Sequence, residues 1–161
     1  MRLSPATPED TTRFARFVRR MQFFGSMSMP MLERILTVIQ VGECAKGERV
    51  CEQGGPGDAF FVVAEGRLVV RVKKGLFFPA KEVANLEPGD CFGEMALLRQ
   101  VRRNATVECL TPCRVFVLSA AHFQAVAREN PAFLEEMEDL SAWRQIDLDY
   151  GTSRAPRQGN L

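Results

Sequence analysis

The sequence predicts an α+β domain: a β-roll, a jelly-roll-like antiparallel sandwich of two sheets, flanked by N-terminal and C-terminal helices. Three observations lead there. Between Val41 and Leu118, short runs with strand composition are separated by turn residues, a spacing that suits a sandwich, barrel or jelly roll. Before and after that region the apolar residues recur at helical spacing. One loop late in the strand region, opening after the turn tripeptide Pro88-Gly89-Asp90, carries Gly93-Glu94 and, further on, Arg103.

At 161 residues, with 46% hydrophobic and 25% charged, the chain is one globular domain able to bury its own core. The 21 basic and 20 acidic residues nearly cancel to a net charge of +1, so the overall balance does not argue for nucleic acid. Cysteines at 44, 51, 91, 109 and 113 are odd in number and contain no C-x-x-C pair. They read as reduced core thiols of a cytoplasmic protein. No secretory leader and no apolar run of the ~18 residues that span a membrane is visible, and a cytosolic location is expected.

Taken in order, Thr7 is the expected N-cap of a helix over residues 7–24, with Pro8 at its first position and Glu9 and Asp10 in its first turn. Phe14, Phe17, Val18 and Met21 make its apolar face and Arg13, Arg16, Arg19 and Arg20 its solvated one. Gly25 breaks it. Ser28-Met29-Pro30 starts a second helix with Leu32, Ile35, Leu36 and Ile39 on its buried side. Strands are expected over residues 41–45, 50–53, 59–64, 67–72, 81–86, 105–109 and 114–118. Within the hairpin between Lys73 and Lys81, Leu76, Phe77 and Phe78 are consecutive. They either fold back onto the domain's own helices or dock a partner or second copy. Ser119 can cap a helix carrying Phe123, Val126 and Ala127, and Asn130-Pro131 begins a last one with Phe133, Met137, Leu140 and Trp143 in one stripe. The resulting divisions are N-terminal helices at 1–42, the roll at 43–121, helices at 122–149 and a disordered tail at 150–161.

The loop from Cys91 to Val107 has a specific chemistry. A short helical turn after Glu94 presents unpaired backbone N–H groups, and Gly93 lets a ligand approach the main chain. Arg103 adds a planar fork matched to phosphate oxygens. Glu94, which only accepts hydrogen bonds, suits a sugar hydroxyl. A ribose cyclic phosphate carries both groups a few ångströms apart.

Phe92-Gly-Glu-Met-Ala-Leu-Leu98 followed by Arg103-Asn-Ala-Thr-Val107 resembles the phosphate-binding cassette of cyclic nucleotide-binding domains. Gly47-Glu48, Gly54, Gly57-Asp58-Ala59, Phe61, Gly66 and Val70 follow the same family's rhythm, so the similarity covers roughly residues 22–145. The resemblance implies cAMP or cGMP as ligand, without a metal. It places Glu94 and the Gly93 amide on the ribose 2′-OH, and Arg103 with the Ala96 and Asn104 amides on the cyclic phosphate. Phe92, Met95 and Ala105 complete the binding segment. It makes the last helix a lid over the purine, with Trp143 stacking on the base or anchoring the lid to the roll. Asn104 departs from the family's usual Ala, Ser or Thr, and its amide oxygen suits the exocyclic amine of guanine.

Other functions are disfavoured by what accompanies these motifs. Too little sequence follows the lid helix for a helix-turn-helix, so direct DNA binding is not expected. The single histidine, His122, excludes a multi-histidine metal site of cupin type within one chain, which weakens the enzyme reading. The expectation is a sensor read by an effector protein or by a second copy of itself; the alternative is a scaffold of the same fold that has lost its ligand.

Overall fold

A computed structural model describes residues 1–21, 24–25, 27–99 and 101–139. In chain order it contains β1 (Arg2–Pro5), α1 (Pro8–Arg19), α2 (Met29–Leu36), β2 (Gln40–Cys44), β3 (Arg49–Cys51) and β4 (Ala59–Glu65). There follow β5 (Leu68–Val72), β6 (Lys81–Leu86), β7 (Cys91–Phe92), α3 (Met95–Leu98), β8 (Thr106–Cys109), β9 (Cys113–Ser119) and α4 (Ala120–Ala127). Residues 131–139 are again helical.

The strands form two antiparallel sheets, β1-β2-β9-β4-β7 and β3-β8-β5-β6. The larger sheet is covered on both faces, which explains why β4 is buried from Ala59 to Ala64 instead of alternating. Phe60, Val62 and Ala64, with Phe116 and Leu118 of β9, belong to a core shared with the helices. Phe14 meets Phe116 edge-on at 5.6 Å, and Phe24 lies 5.2 Å from Phe60. The residues of opposite parity, Ala59, Phe61, Val63, Val115 and Val117, fill the interior of the roll with Leu68 and Val107. Burial raises the thiols of this interior, Cys44 to about 11 with Glu48 adding to the effect, and Cys109 further still beside Cys113. Both stay protonated and behave as apolar filling.

The first helix starts where its sequence requires. The Thr7 hydroxyl accepts from the Asp10 amide at 3.2 Å, and the Asp10 carboxylate accepts from the Thr7 amide at 3.0 Å, closing a capping box. Asp10 is buried and also accepts from Arg114 at 3.4 Å. Burial pushes its pKa up, but the Thr7 bonds and Arg114 outweigh that and hold the carboxyl below its ordinary range. A depressed folded pKa means stability that is complete above the unfolded carboxylate's value and is lost as pH falls through the folded one. Asp10→Ala should therefore lower unfolding free energy by about 1 to 3 kcal/mol at neutral pH, measured in urea, with the gap to wild type closing in acid.

Several elements differ from the sequence expectation. The first helix stops at Arg19, not 24, because Met21, Phe24 and Met27 follow in tight turns, each amide bonding the carbonyl three residues back at 3.1 Å. That three-residue spacing carries all three side chains into the core. The second helix ends at Leu36, and Ile39 is buried from the turn beyond it. The arginine face of α1 is only partly solvated: Arg13 donates to the Ala64 carbonyl at 2.8 Å. Strands β1 and β7 were not expected. Leu76, Phe77 and Phe78 do not fold back onto the helices; they are 88%, 98% and 62% exposed. In the last helix Phe133 and Met137 are buried as the stripe requires, whereas Leu140 and Trp143 lie outside the described residues.

Candidate functional site

The loop from Cys91 to Val107 is held from both ends. At its start β7 pairs with β4, Phe92 opposite Phe61, and the two rings stack at 4.9 Å between centroids with 19° between planes. Gly93 follows at φ +81°, a left-handed turn natural to glycine. Glu94 then precedes the single helical turn α3, whose Ala96 and Leu97 are buried. At its end Arg103 leads into Asn104, Ala105 and strand β8.

Arg103 is the centre of the arrangement. Its side chain is 91% or more buried, with a relative exposure of 9% for the whole residue. One terminal nitrogen, Nη2, donates to the Ala59 carbonyl at 2.7 Å and lies 3.7 Å from the Asp58 carboxylate, which is 77% exposed and contributes little. The guanidinium sits 5.5 Å from the centre of the Phe61 ring, so Phe92, Phe61 and Arg103 form one column. Its Nε has no hydrogen-bond partner among the described residues. A buried cation with one strong neutral acceptor and an unsatisfied N–H is short of negative charge, and an anionic oxygen placed against it would supply the deficit.

The backbone around Arg103 is fixed by the glycine-rich segment that leads into β4. Gly54 donates to the Arg103 carbonyl at 2.7 Å, the Arg103 amide donates to Gly55 at 2.8 Å, and Gly57 donates to Val101 at 3.0 Å. Pro56 bridges Arg102. Gly57 has no room for a Cβ, which would run into the Val101 carbonyl. The glycine cluster at 54, 55 and 57 was the available signal: so many glycines within four residues mark a close backbone approach as well as a turn.

The other expected site residues differ in placement. Phe92, Gly93, Glu94, Met95 and Ala96 run consecutively from β7 through the turn into α3, with Glu94 and Met95 half-buried. The Ala96 amide donates to the Gly93 carbonyl at 3.1 Å, within the turn. Asn104 is exposed and Ala105 half-buried; the Ala105 carbonyl accepts from the Cys51 thiol at 3.9 Å. Burial raises the Cys51 pKa although the Arg103 charge pulls the other way. Trp143 lies outside the described residues. Phe61, Ala59 and Asp58, which back or contact the guanidinium, went unassigned as site residues because nothing in their spacing points at Arg103.

Residues 41–130 match the family model described as the cyclic nucleotide-binding domain. The chain belongs to that family. It is 32% identical to a cAMP-dependent protein kinase regulatory subunit of Yarrowia lipolytica over 126 residues, 73% of this chain and 32% of that one. A cyclic nucleotide-gated potassium channel of Mesorhizobium japonicum is 29% identical over 126 residues, 78% of this chain and 33% of the channel. Among solved structures, the regulatory domain of Toxoplasma gondii PKA crystallised with cAMP superposes with a TM-score of 0.68 at 23% identity, covering 83% of this chain and 51% of that one. The cyclic nucleotide-binding domain described here spans at most about a third of the length of these two curated relatives. Among its described residues no helix is long and apolar enough to cross a membrane, and no three His, Cys, Asp or Glu side chains are grouped to hold a metal.

Proposed function

We propose that this domain is a cyclic nucleotide sensor: cAMP or cGMP binds at residues 91–107 and the helices after the roll relay the event to an effector protein or a second copy. The observation that carries the reading is Arg103, a buried cation with an unpartnered Nε, fixed by Phe61 and the Ala59 carbonyl. The cyclic phosphate supplies the missing negative charge there and accepts from the Asn104 amide and from the Ala96 amide, which exchanges its bond to the Gly93 carbonyl for the ligand, while Glu94 and the Gly93 amide take the ribose 2′-OH. The domain carries no reaction of its own in this reading, and its free thiols suit a reducing cytoplasm.

The relay has a physical route. Leu97, within the loop, is fully buried in the core that also holds Phe123, Val126, Phe133 and Met137. Gln124 of α4 donates to the Leu97 carbonyl at 3.4 Å. A loop drawn onto a phosphate moves Leu97, and with it α4 and the helix over residues 131–139, the lid of this reading. Trp143 is then the residue that reaches the base or anchors the lid.

Calorimetry with cAMP and with cGMP tests the proposal: micromolar or tighter binding supports it, and no heat with either nucleotide sends the domain to the scaffold reading. Base preference has its own test. Asn104 is exposed beside Arg103, where its amide oxygen can accept from the guanine amine. Asn104→Ala should lower cGMP affinity about fivefold, the value of one hydrogen bond, and leave cAMP unchanged. An unaltered ratio of the two affinities would remove Asn104 from base selection.

A further inference from the structure

Strands β5 and β6 form the outer ribbon of the smaller sheet, and the segment joining them ends in Leu76, Phe77 and Phe78, exposed by 88%, 98% and 62%. A connection that needed only to reverse direction would be built from Gly, Asn or Asp. Three adjacent apolar side chains in water are unfavourable unless something covers them. Around them stand Lys73, Lys74 and Lys81, all exposed, and no carboxylate occurs from 73 to 81. The nearest acid along the ribbon, Glu82, is paired with Arg71 at 3.2 Å. Three of the chain's positive charges are thus gathered on one tip, although the whole chain carries only +1.

The tip is firmly mounted. Gln53 grips the backbone of Lys73 at both its amide and its carbonyl, each at 2.8 Å, while its own amide donates to Thr106 at 3.0 Å. Further along the ribbon Val83, 59% exposed, extends the apolar surface.

We propose that this hairpin tip binds an anionic lipid bilayer, seating Leu76, Phe77 and Phe78 among the headgroups and upper acyl chains while the three lysines meet the acidic headgroups. A convex tip with an apolar end and a basic collar fits a deformable surface with hydrocarbon beneath negative charge. The lysine stems can lie along the apolar part and keep their ammonium groups at headgroup level. A protein partner would have to offer a pocket for three bulky side chains lined by carboxylates, and a second copy would bring the same three lysines into mutual repulsion. This reading is independent of what the loop at 91–107 binds.

Co-sedimentation of the intact chain with vesicles tests it, using phosphatidylcholine alone and phosphatidylcholine with about one-third phosphatidylserine. Wild type should sediment with the anionic vesicles, remain in solution with neutral ones, and be released by high salt. Lys73→Gln/Lys74→Gln/Lys81→Gln should weaken partitioning about a hundred-fold, and Leu76→Ser/Phe77→Ser/Phe78→Ser by a similar factor. Phe77→Ser alone, at the most exposed of the three, should weaken it roughly tenfold and serves if the triple variant misfolds. No sedimentation with anionic vesicles, equal binding to neutral ones, or full binding by the serine variants overturns the proposal. So does lipid-free self-association by light scattering that the serine variants abolish, which would give the tip to a second copy.

Discussion

Arg103→Ala is expected to lower cyclic nucleotide affinity by roughly thirty- to several-thousand-fold, the range set by about 2 to 5 kcal/mol for removing one side of a buried charged contact. The magnitude follows from burial. An exposed guanidinium against a phosphate is screened by water, whereas Arg103 is enclosed between the Phe61 ring and the main chain at Gly93 and Ala59. The fold should survive the change. The variant deletes a buried cation whose Nε is unsatisfied and whose nearest carboxylate is 3.7 Å away, so its loss from the unliganded domain removes little net stabilisation. The decisive readout is therefore thermal unfolding with and without nucleotide. Wild type should gain about 2.7 kcal/mol when ligand stands at a hundred times its Kd, and Arg103→Ala should gain at most about 0.9 kcal/mol at the same concentration, falling towards zero at the upper end of the expected loss. Arg102→Ala is the matched control: its side chain is exposed and donates to the Gly54 carbonyl at 2.9 Å, away from the buried column. Equal losses in the two variants would show a general loosening of the loop and would remove Arg103 from its proposed role.

How far the site could be read in advance depended on whether the chemistry lay in a contiguous stretch. Glu94 and Arg103 belong to one loop with a recognisable order of residues, and the expected helical turn between them is present as Met95–Leu98. The strands of the roll were legible for the same reason: β4 and β9 are runs of Phe, Val and Leu bounded by turn residues. What escaped was held by backbone or by distant pairing. All four side chains of β1 are exposed, so no alternation betrays a strand tied to the sheet by its ladder with β2 and by the Arg2–Glu43 ion pair. Strand β7 has two residues, too few for any period. Phe61 was legible only as part of the family's rhythm, and the fold is what brings its ring against both Phe92 and Arg103. The Phe77 tip was legible as an anomaly, but its direction was not, since three apolar residues in a hairpin pack inward or point outward with equal sense until the sheet edge is known.

Gly93→Ala should be almost as damaging to binding as the loss of Arg103, although alanine adds no charge and removes none. A Cβ at this position would run into the Arg103 guanidinium, coming within 3.4 Å of Cζ, and would stand 2.8 Å from the Ala59 carbonyl oxygen. These are the two groups whose hydrogen bond fixes the cation. The backbone at φ +81° adds strain of about 1 to 2 kcal/mol for any side chain. Either the loop retreats and takes the Gly93 amide and the Glu94 carboxylate with it, or the guanidinium is displaced from its seat over Phe61. Both outcomes separate the two ends of the loop that close on one ligand in the proposed binding mode, so affinity should fall at least thirtyfold. Coupling distinguishes this from simple destabilisation. Where Gly93→Ala acts by displacing Arg103, the double variant Gly93→Ala/Arg103→Ala should bind scarcely worse than Arg103→Ala alone, a large departure from additivity. In the double variant the alanine no longer meets a guanidinium, so part of the stability lost in Gly93→Ala should return. Additive losses in affinity would mean that Gly93→Ala acts by shifting the Gly93-Glu94 backbone and not by displacing Arg103.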